Sequence, residues 1–366
     1  MLLDVAFREV DLDVGDVAFR VTNGGIDGVH ETFVGREVEF LIASQDFFVE
    51  FLVHFHRIFL DHLFGCRVVA FGSDALDLRE EFTIETTKTL VVIDLRDGTK
   101  GIGGCKFCSA YLSGEFAGDP CDDIRTQFES VRARMNEKWS EGLYIPYFQA
   151  GSNTYAPVER LREMYETALS VENCAGLSIA TRADCISEEN AALLGEIAQK
   201  TYLTVELGLQ TVHDETALAM NRCHTFADFL KGYELLRKNG VNVCVHIING
   251  LPHETHDMML ETARQLSRLD LHSIKIHLLH VLKDTELAQM YSRGEFETLS
   301  MREYVDTVCD QIELLPKQLI IQRVTGDGAR NELIAPLWSL KKFCVMNEID
   351  KELGRRNSYQ GIKFAG

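Results

Sequence analysis

Tyr202-Leu203-Thr204-Val205-Glu206-Leu207, then Phe226, Phe229, Leu230, Tyr233 and Leu236, then Val241-Asn242-Val243-Cys244-Val245-His246-Ile247-Ile248: the reading of this stretch decides the fold. The two outer runs are apolar, of strand length and rich in Val, Ile, Leu and Tyr, as strands covered on both faces require. The middle segment repeats its apolar residues at helical spacing, so it forms an amphipathic helix. A strand, a helix and a strand joined by short connections make a βαβ unit, whose two strands lie parallel. The same alternation continues outward, with Thr89–Ile93, Leu143–Gln149 and Gly176–Ala180 as strands before it and Ser273–Leu279 after it. Ile124, Phe128, Val131 and Met135 share one helical face, and Leu161, Met164, Tyr165 and Ala168 another. Ser187 with Glu188 and Glu189, and Asp214 before Thr216–Met220, are suitable helix starts. Six parallel units are too few to close an eight-stranded barrel, so an α/β fold with an open, partial (βα)6 TIM-like barrel is expected, with its site at the carboxyl ends of the strands.

Beyond Ser300 the alternation breaks. A helix over Arg302–Leu315, a strand at Leu319–Val324 and a last helix near Asn347–Leu353 are expected to form a small C-terminal cap. The organisation expected is therefore an N-terminal segment over 1–87, the barrel over 88–299 and the cap over 300–366. The N-terminal part differs in composition from the rest. Its first 95 residues hold 12 of the 21 Phe, a single Lys (Lys88) and no Pro, Tyr or Trp, where average usage predicts roughly five prolines. Val10, Leu12 and Val14 alternate like a strand, and Phe47, Phe51, Phe55 and Phe59 recur at helical spacing. Two readings stand for this segment of uncertain fold: an extra domain, or the product of a frameshift or misassigned gene start.

The net charge is −19 over 366 residues. Residues 1–95 carry 18 acidic against 7 basic residues, so the larger part holds 38 against 30 and keeps room for a basic patch. Ten cysteines scattered through a long chain, behind a start without the basic and apolar regions of a signal peptide, fit a reducing cytoplasm better than a disulfide framework. The most apolar window, Phe47 to Phe64, is broken by Glu50, His54, His56, Arg57 and Asp61, so no membrane span is expected.

The chemistry concentrates in Gly103-Gly104-Cys105-Lys106-Phe107-Cys108. Two thiolates spaced CxxC are soft ligands for iron–sulfur or zinc, and glycines let the backbone wrap closely around an inorganic core. A CxxC alone is a weak signal, shared with zinc sites and thiol redox loops. A zinc site would want a second Cys or His pair at similar spacing, and none is evident in the sequence.

The run Arg96-Asp97-Gly98-Thr99-Lys100-Gly101-Ile102-Gly103-Gly104-Cys105-Lys106-Phe107-Cys108 resembles the cluster loop of radical S-adenosylmethionine (SAM) enzymes, in particular a bacterial family that reads Cys-Pro-Asn-Arg-Asp-Gly-Thr before Gly-Gly-Cys. The resemblance covers essentially all of 96–366. In the family a further cysteine stands twelve residues before Cys105, where this chain has Ile93. The resemblance implies a 4Fe-4S cluster held by Cys105 and Cys108, shielded by Phe107, with SAM chelated to an open iron and cleaved by one electron to start radical chemistry.

Further segments carry the resemblance. Gln149, Ser152 and Thr154, in Tyr147-Phe148-Gln149-Ala150-Gly151-Ser152-Asn153-Thr154-Tyr155, are implied near the SAM amino group. Arg182, in Thr181-Arg182-Ala183-Asp184-Cys185, is implied at the cofactor, with a surface ion pair to Asp184 as its bland reading. Glu206 and Gln210, in Glu206-Leu207-Gly208-Leu209-Gln210, and Arg222, in Asn221-Arg222-Cys223-His224, look like segments shared with oxygen-independent coproporphyrinogen oxidases and the elongator catalytic subunit, and are implied to grip SAM. Cys223 replaces a family Gly there. Gly250 and Pro252, in Gly250-Leu251-Pro252-His253-Glu254-Thr255, are implied to shape the adenine pocket, with His253 in place of another family Gly.

His246, His277 and His280 lie in strand-like segments, where a histidine is more often a satisfied core residue; one of them is expected to reach substrate. Lys275 points away from Ile274 and Ile276, toward the barrel interior or as a cap on it. Trp338 with Lys341 and Lys342 suits either a phosphate-bearing or RNA substrate or a packed Trp with a solvated basic edge. The function expected is a radical SAM enzyme acting on RNA or a small metabolite, with a flavodoxin- or ferredoxin-type electron donor. The alternatives are a non-catalytic barrel that has lost the cluster with the Ile93 position, and a zinc or thiol CxxC protein.

Overall fold

The structure, a computed structural model, describes residues 81–86, 101–109, 118–119, 121–137, 142–326, 328 and 330–365. All of them fall within the unit Arg67–Gly366. The expected first strand at Thr89–Ile93, the segment up to residue 80 and Ile93 itself lie outside the described residues.

Seven strands form one sheet: β1 (Glu81–Thr86), β2 (Leu143–Phe148), β3 (Gly176–Thr181), β4 (Tyr202–Gln210), β5 (Asn242–Asn249), β6 (Ser273–Leu278) and β8 (Ile320–Arg323), in the order β1-β2-β3-β4-β5-β6-β8. Every pairing in it is parallel. Strands β2 to β6 are those that the alternating pattern predicts; β1, which lies in the segment 1–87 expected to precede the barrel, takes the sixth place in the open half-barrel, and β8 adds a seventh parallel strand from the C-terminal part. A short antiparallel pair, β7 (Val281–Leu282) with β9 (Leu333–Ala335), lies apart from this sheet. The helices are α1 (Ile124–Asn136), α2 (Val158–Leu169), α3 (Glu188–Ala198), α4 (Asp214–Ala219), α5 (Phe226–Lys238), α6 (His256–Ser267), α7 (Glu286–Ser292), α8 (Met301–Leu314) and α9 (Lys342–Arg355). The last begins earlier than Asn347 because the run Val345, Ile349 and Leu353 carries helical spacing back toward the 3-10 turn at Leu337–Leu340.

Local chemistry explains the helix starts. Ser187 with Asn190, Thr225 with Asp228 and Ser300 with Glu303 each form a reciprocal cap, in which the side chain of each residue accepts from the other's backbone N–H. Each such cap contributes about 1 kcal/mol. Helix α6 is held by the Thr255 hydroxyl, which accepts from the Met258 N–H.

The main core lies between sheet and helices. Leu177, Ile179, Val205, Leu207, Val243, Val245, Ile274 and Ile276 pack there against Leu161, Met164, Leu194, Phe229 and Leu236, and full burial of such a side chain is worth roughly 1.5–3 kcal/mol. Alternate strand positions face the interior of the half-barrel, which is where the polar residues of the strands go. Helix α8 is fixed to the barrel by a buried reciprocal amide pair. Asn249 Nδ2 donates to Gln311 Oε1 at 2.8 Å and Gln311 Nε2 donates back to Asn249 Oδ1 at 2.9 Å. Among the described residues no helix is long and apolar enough to cross a membrane.

Candidate active site at the carboxyl ends of the strands

The CxxC loop is built as a narrow turn. Gly103 and Gly104 have φ of +87° and +80°, a region costly for residues with a Cβ. The loop is tied to the α4–α5 connection at three points. The Lys106 N–H donates to Met220 O at 3.2 Å, and the Asn221 side-chain amide donates to Ile102 O at 2.9 Å and Gly104 O at 2.8 Å. It is tied to α7 by the Leu287 N–H, which donates to Lys106 O at 3.0 Å, and by a Lys106–Glu286 ion pair at 3.0 Å. Phe107 packs beside Met220, Leu251, Leu279 and Val281, so one face of the loop is dry.

Cys105 is buried and Cys108 half-buried. A hydrogen bond from Cys108 outweighs burial and, with the Arg222 and Arg182 cations, brings the Cys105 thiol down to about 5. Cys105 is therefore a thiolate at neutral pH, the form that binds metal. Arg222 Nη1 donates to its sulfur at 3.2 Å. The Arg222 Nη2 donates to Gly208 O and to His224 Nε2, while its Nε is buried with no hydrogen-bond partner among the described residues. Burial beside Arg222 and Arg182 pushes His224 down to about 4, so it is neutral and can accept. Gly208 makes room for this: a Cβ there would lie 2.9 Å from Gln210 Nε2. The strand bulges at the same point, and Gln210 turns to φ +75°.

The remaining expected residues sit around this centre at strand ends. Gln149, just past β2, keeps its Oε1 buried with no partner among the described residues. Ser152 and Thr154 are buried; the Thr154 hydroxyl is bound to Thr181 Oγ1 at 2.7 Å and donates to Cys185 O at 3.1 Å, so it staples two loops together. Arg182 and Asp184 form a buried two-pronged pair, at 3.0 and 2.9 Å, rather than a surface one. Gly250 takes φ +87° and Pro252 is buried beside it, while His253 and Cys223, in the two places where the family has Gly, hold φ of +68° and +57°. Trp338 donates to Leu299 O at 3.0 Å and packs on Tyr304, the packed reading rather than a stacking platform.

Glu206, implied at SAM by the resemblance, lies within β4. It stands in mid-strand, facing the interior, and is 4% exposed. Its Oε2 accepts from Tyr147 Oη at 2.7 Å, His246 Nε2 at 2.6 Å and Lys275 Nζ at 2.6 Å, and its Oε1 accepts from Ser178 Oγ at 2.8 Å. Burial pushes its carboxyl up, but Lys275 and His246 outweigh it and hold the group well below the usual carboxylate range. Glu206, Cys244 and His246 bring three potential ligand atoms within 4.8 Å of one another, and the Glu206 Oε2 is already bound by the Lys275 ammonium at 2.6 Å. Five strands contribute to this network, and its sequence signal is a lone polar residue among apolar ones at interior-facing positions, as at Ser178, Glu206 and Lys275.

Similarity to known proteins agrees with this geometry. Residues 102–266 match the model of the radical SAM superfamily, and 271–355 match that of the radical SAM C-terminal domain. The chain is 53% identical over 269 residues to YtqA of Bacillus subtilis (strain 168), covering 74% of this chain and 84% of that protein. The chain belongs to the radical SAM superfamily. This radical SAM protein is also 36% identical over 259 residues to YhcC of Escherichia coli (strain K12), covering 70% of this chain and 82% of that one. A solved structure of the archaeal Elp3 of Methanocaldococcus infernus, lacking residues 1–46, shares its fold with a TM-score of 0.54 at 22% identity over 63% of this chain and 58% of that one. Radical SAM superfamily membership makes it an enzyme whose family uses a 4Fe-4S cluster and SAM.

Proposed function

We propose that the chain binds a 4Fe-4S cluster at the Cys105–Cys108 loop and SAM beside it, and starts radical chemistry on a substrate held in the half-barrel. The observation that carries this reading is the buried Cys105 thiolate with Arg222 Nη1 at 3.2 Å, on a loop closed by two glycines of positive φ. The residues fit the group in donor type, since Cys105 and Cys108 are soft ligands. The position where the family carries a third, Ile93, lies outside the described residues. Two buried polar atoms without partners among the described residues fit the amino acid end of SAM: Gln149 Oε1 as an acceptor for an ammonium and Arg222 Nε as a donor to a carboxylate. Thr154, with its hydroxyl committed to Thr181 and Cys185, acts by holding the loop that carries Ser152. Gln210, turned by the bulge, and the Gly250–Pro252 turn line the same end of the barrel.

When bound, the cluster supplies the electron that cleaves SAM. The protein's own part is to hold Cys105 deprotonated, to keep water from it with Phe107 and its apolar neighbours, and to present the interior to substrate. A reductant of the flavodoxin or ferredoxin type completes the cycle. Anaerobic treatment of the Ile93→Cys chain with iron and sulfide tests the reading. Uptake of both, with a cluster spectrum that SAM perturbs and Cys105→Ala removes, is expected; no uptake would leave a scaffold without this chemistry.

A further inference from the structure

Among the described residues, one corner of the half-barrel interior carries one cation more than its carboxylates balance. Lys275 is neutralised by Glu206 at 2.6 Å. Arg323 is not: it is half-buried at the end of β8, and no carboxylate among the described residues pairs with it. It is aimed inward by a register shift between Ile274 and Lys275, after which Lys275 and Arg323 stand side by side on neighbouring strands. Such bulges re-aim side chains next to sites. Gln322 within the bulge also turns inward, donating to Ser273 Oγ at 2.9 Å. The next interior position on β6 is His277, whose ring lies 4.9 Å from that of His246 and whose buried Nε2 has no hydrogen-bond partner among the described residues. Burial and the surrounding cations, Arg323 and Lys275 among them, hold both imidazoles below their usual range. Gly326 and Gly328 lie against His277 and His280 across the top of this corner.

A guanidinium and an imidazole nitrogen without partners among the described residues, with one positive charge in excess among those residues, are costly unless an anion completes them. The planar fork of an Arg fits two oxygens of one group. We propose that Arg323, with His277 and beside Lys275, anchors an oxyanion of the substrate, a carboxylate or a phosphate, in the half-barrel. The word substrate rests on the radical SAM reading; the anion site itself does not.

The test is a titration of the full chain, labelled at its histidine Cε1 positions, with inorganic phosphate and separately with acetate at constant ionic strength. A saturable shift of the His277 resonance is expected, assigned by its loss in His277→Gln. Arg323→Gln should weaken it by at least about tenfold, the scale of a lost charge-assisted hydrogen bond. Arg293→Gln, which removes an exposed arginine at the end of α7, should leave it unchanged. Saturation by phosphate alone identifies a phosphate-bearing ligand, saturation by acetate alone a carboxylate, and saturation by both the shared anchor. Should Arg323→Gln fail to fold, Arg323→Lys keeps the charge and loses the fork, and weaker binding is still expected. No saturation with either anion, equal affinity in the Arg323 variant, or equal loss in Arg293→Gln would overturn the proposal. The titration needs neither cluster nor SAM. A chain that titrates but takes up no iron and sulfide therefore fails the radical SAM reading alone, and one that does the reverse fails the anion site alone.

Discussion

Replacing Lys275 with Met removes the ammonium that neutralises Glu206 and leaves the other three donors, Tyr147, His246 and Ser178, in place. The carboxylate is then a charge in a nearly water-free interior. Breaking a buried pair from one side costs about 3–5 kcal/mol, a large share of the roughly 5–15 kcal/mol that holds a domain folded. The pH dependence has a definite sign. In the wild type the Glu206 carboxyl is held below its ordinary 4.5, so its contribution is present above that pH and lost as pH falls. Without Lys275 burial dominates and the folded pKa rises, so the variant is penalised most at neutral pH and the gap to wild type narrows on acidification. Lys275→Met combined with Glu206→Gln removes both charges and keeps a group that Tyr147 and Ser178 can bond, so the pair should cost less than Lys275→Met alone, with a coupling of at least about 2 kcal/mol. Urea unfolding followed by circular dichroism at several pH values reads these quantities. A single-variant cost below about 1 kcal/mol, a double variant no better than Lys275→Met, or a gap independent of pH would refute the reasoning.

Other outcomes follow from the same geometry. His224, held near 4, is neutral in the folded state and charges on unfolding, so it should make stability fall as pH drops from 6.5 toward 4, by up to about 3 kcal/mol; urea midpoints across that window should flatten in His224→Gln. The metal-free chain should show a thiolate absorbance step near pH 5 from Cys105, and Cys108→Ala, which removes the largest stabilising contact, should move that step upward. Cys223→Gly and His253→Gly should each raise the melting temperature, since a residue with a Cβ in the left-handed region costs about 1 kcal/mol or more. Gln311→Leu leaves Asn249 buried without its amide partner and should lower stability by about 1–3 kcal/mol, seen as an earlier urea midpoint.

Much of the barrel was legible because its strands are buried on both faces and its helices on one. The runs at 143–149, 176–180, 202–207, 241–248 and 273–279 all coincide with strands to within a few residues, since continuous apolar runs and helical spacing are direct records of burial. The cluster loop and the Asn221-Arg222 segment were legible as motifs, and the structure joins them through Asn221 and Arg222. What spacing did not reveal is the interior network. Tyr147, Ser178, Glu206, His246 and Lys275 are far apart in the chain, and only parallel register brings them to one carboxylate. Thr154 and Arg182 read as ligand residues from their motif, and the internal partners they also hold, Thr181 for the Thr154 hydroxyl and Asp184 for Arg182, were not legible in it. Arg323 opened a tail segment that resembles the family, but its aim into the half-barrel was not legible, because that aim depends on a one-residue bulge.

The central claim is that this half-barrel is built to do radical SAM chemistry around Cys105 and Cys108. The most direct measurement is reductive cleavage of SAM to 5′-deoxyadenosine by the anaerobically reconstituted chain, by its Ile93→Cys variant, and by that variant carrying Cys105→Ala. Cleavage in Ile93→Cys that disappears with Cys105→Ala is predicted. No cleavage in any of the three, or cleavage that survives Cys105→Ala, would contradict the account.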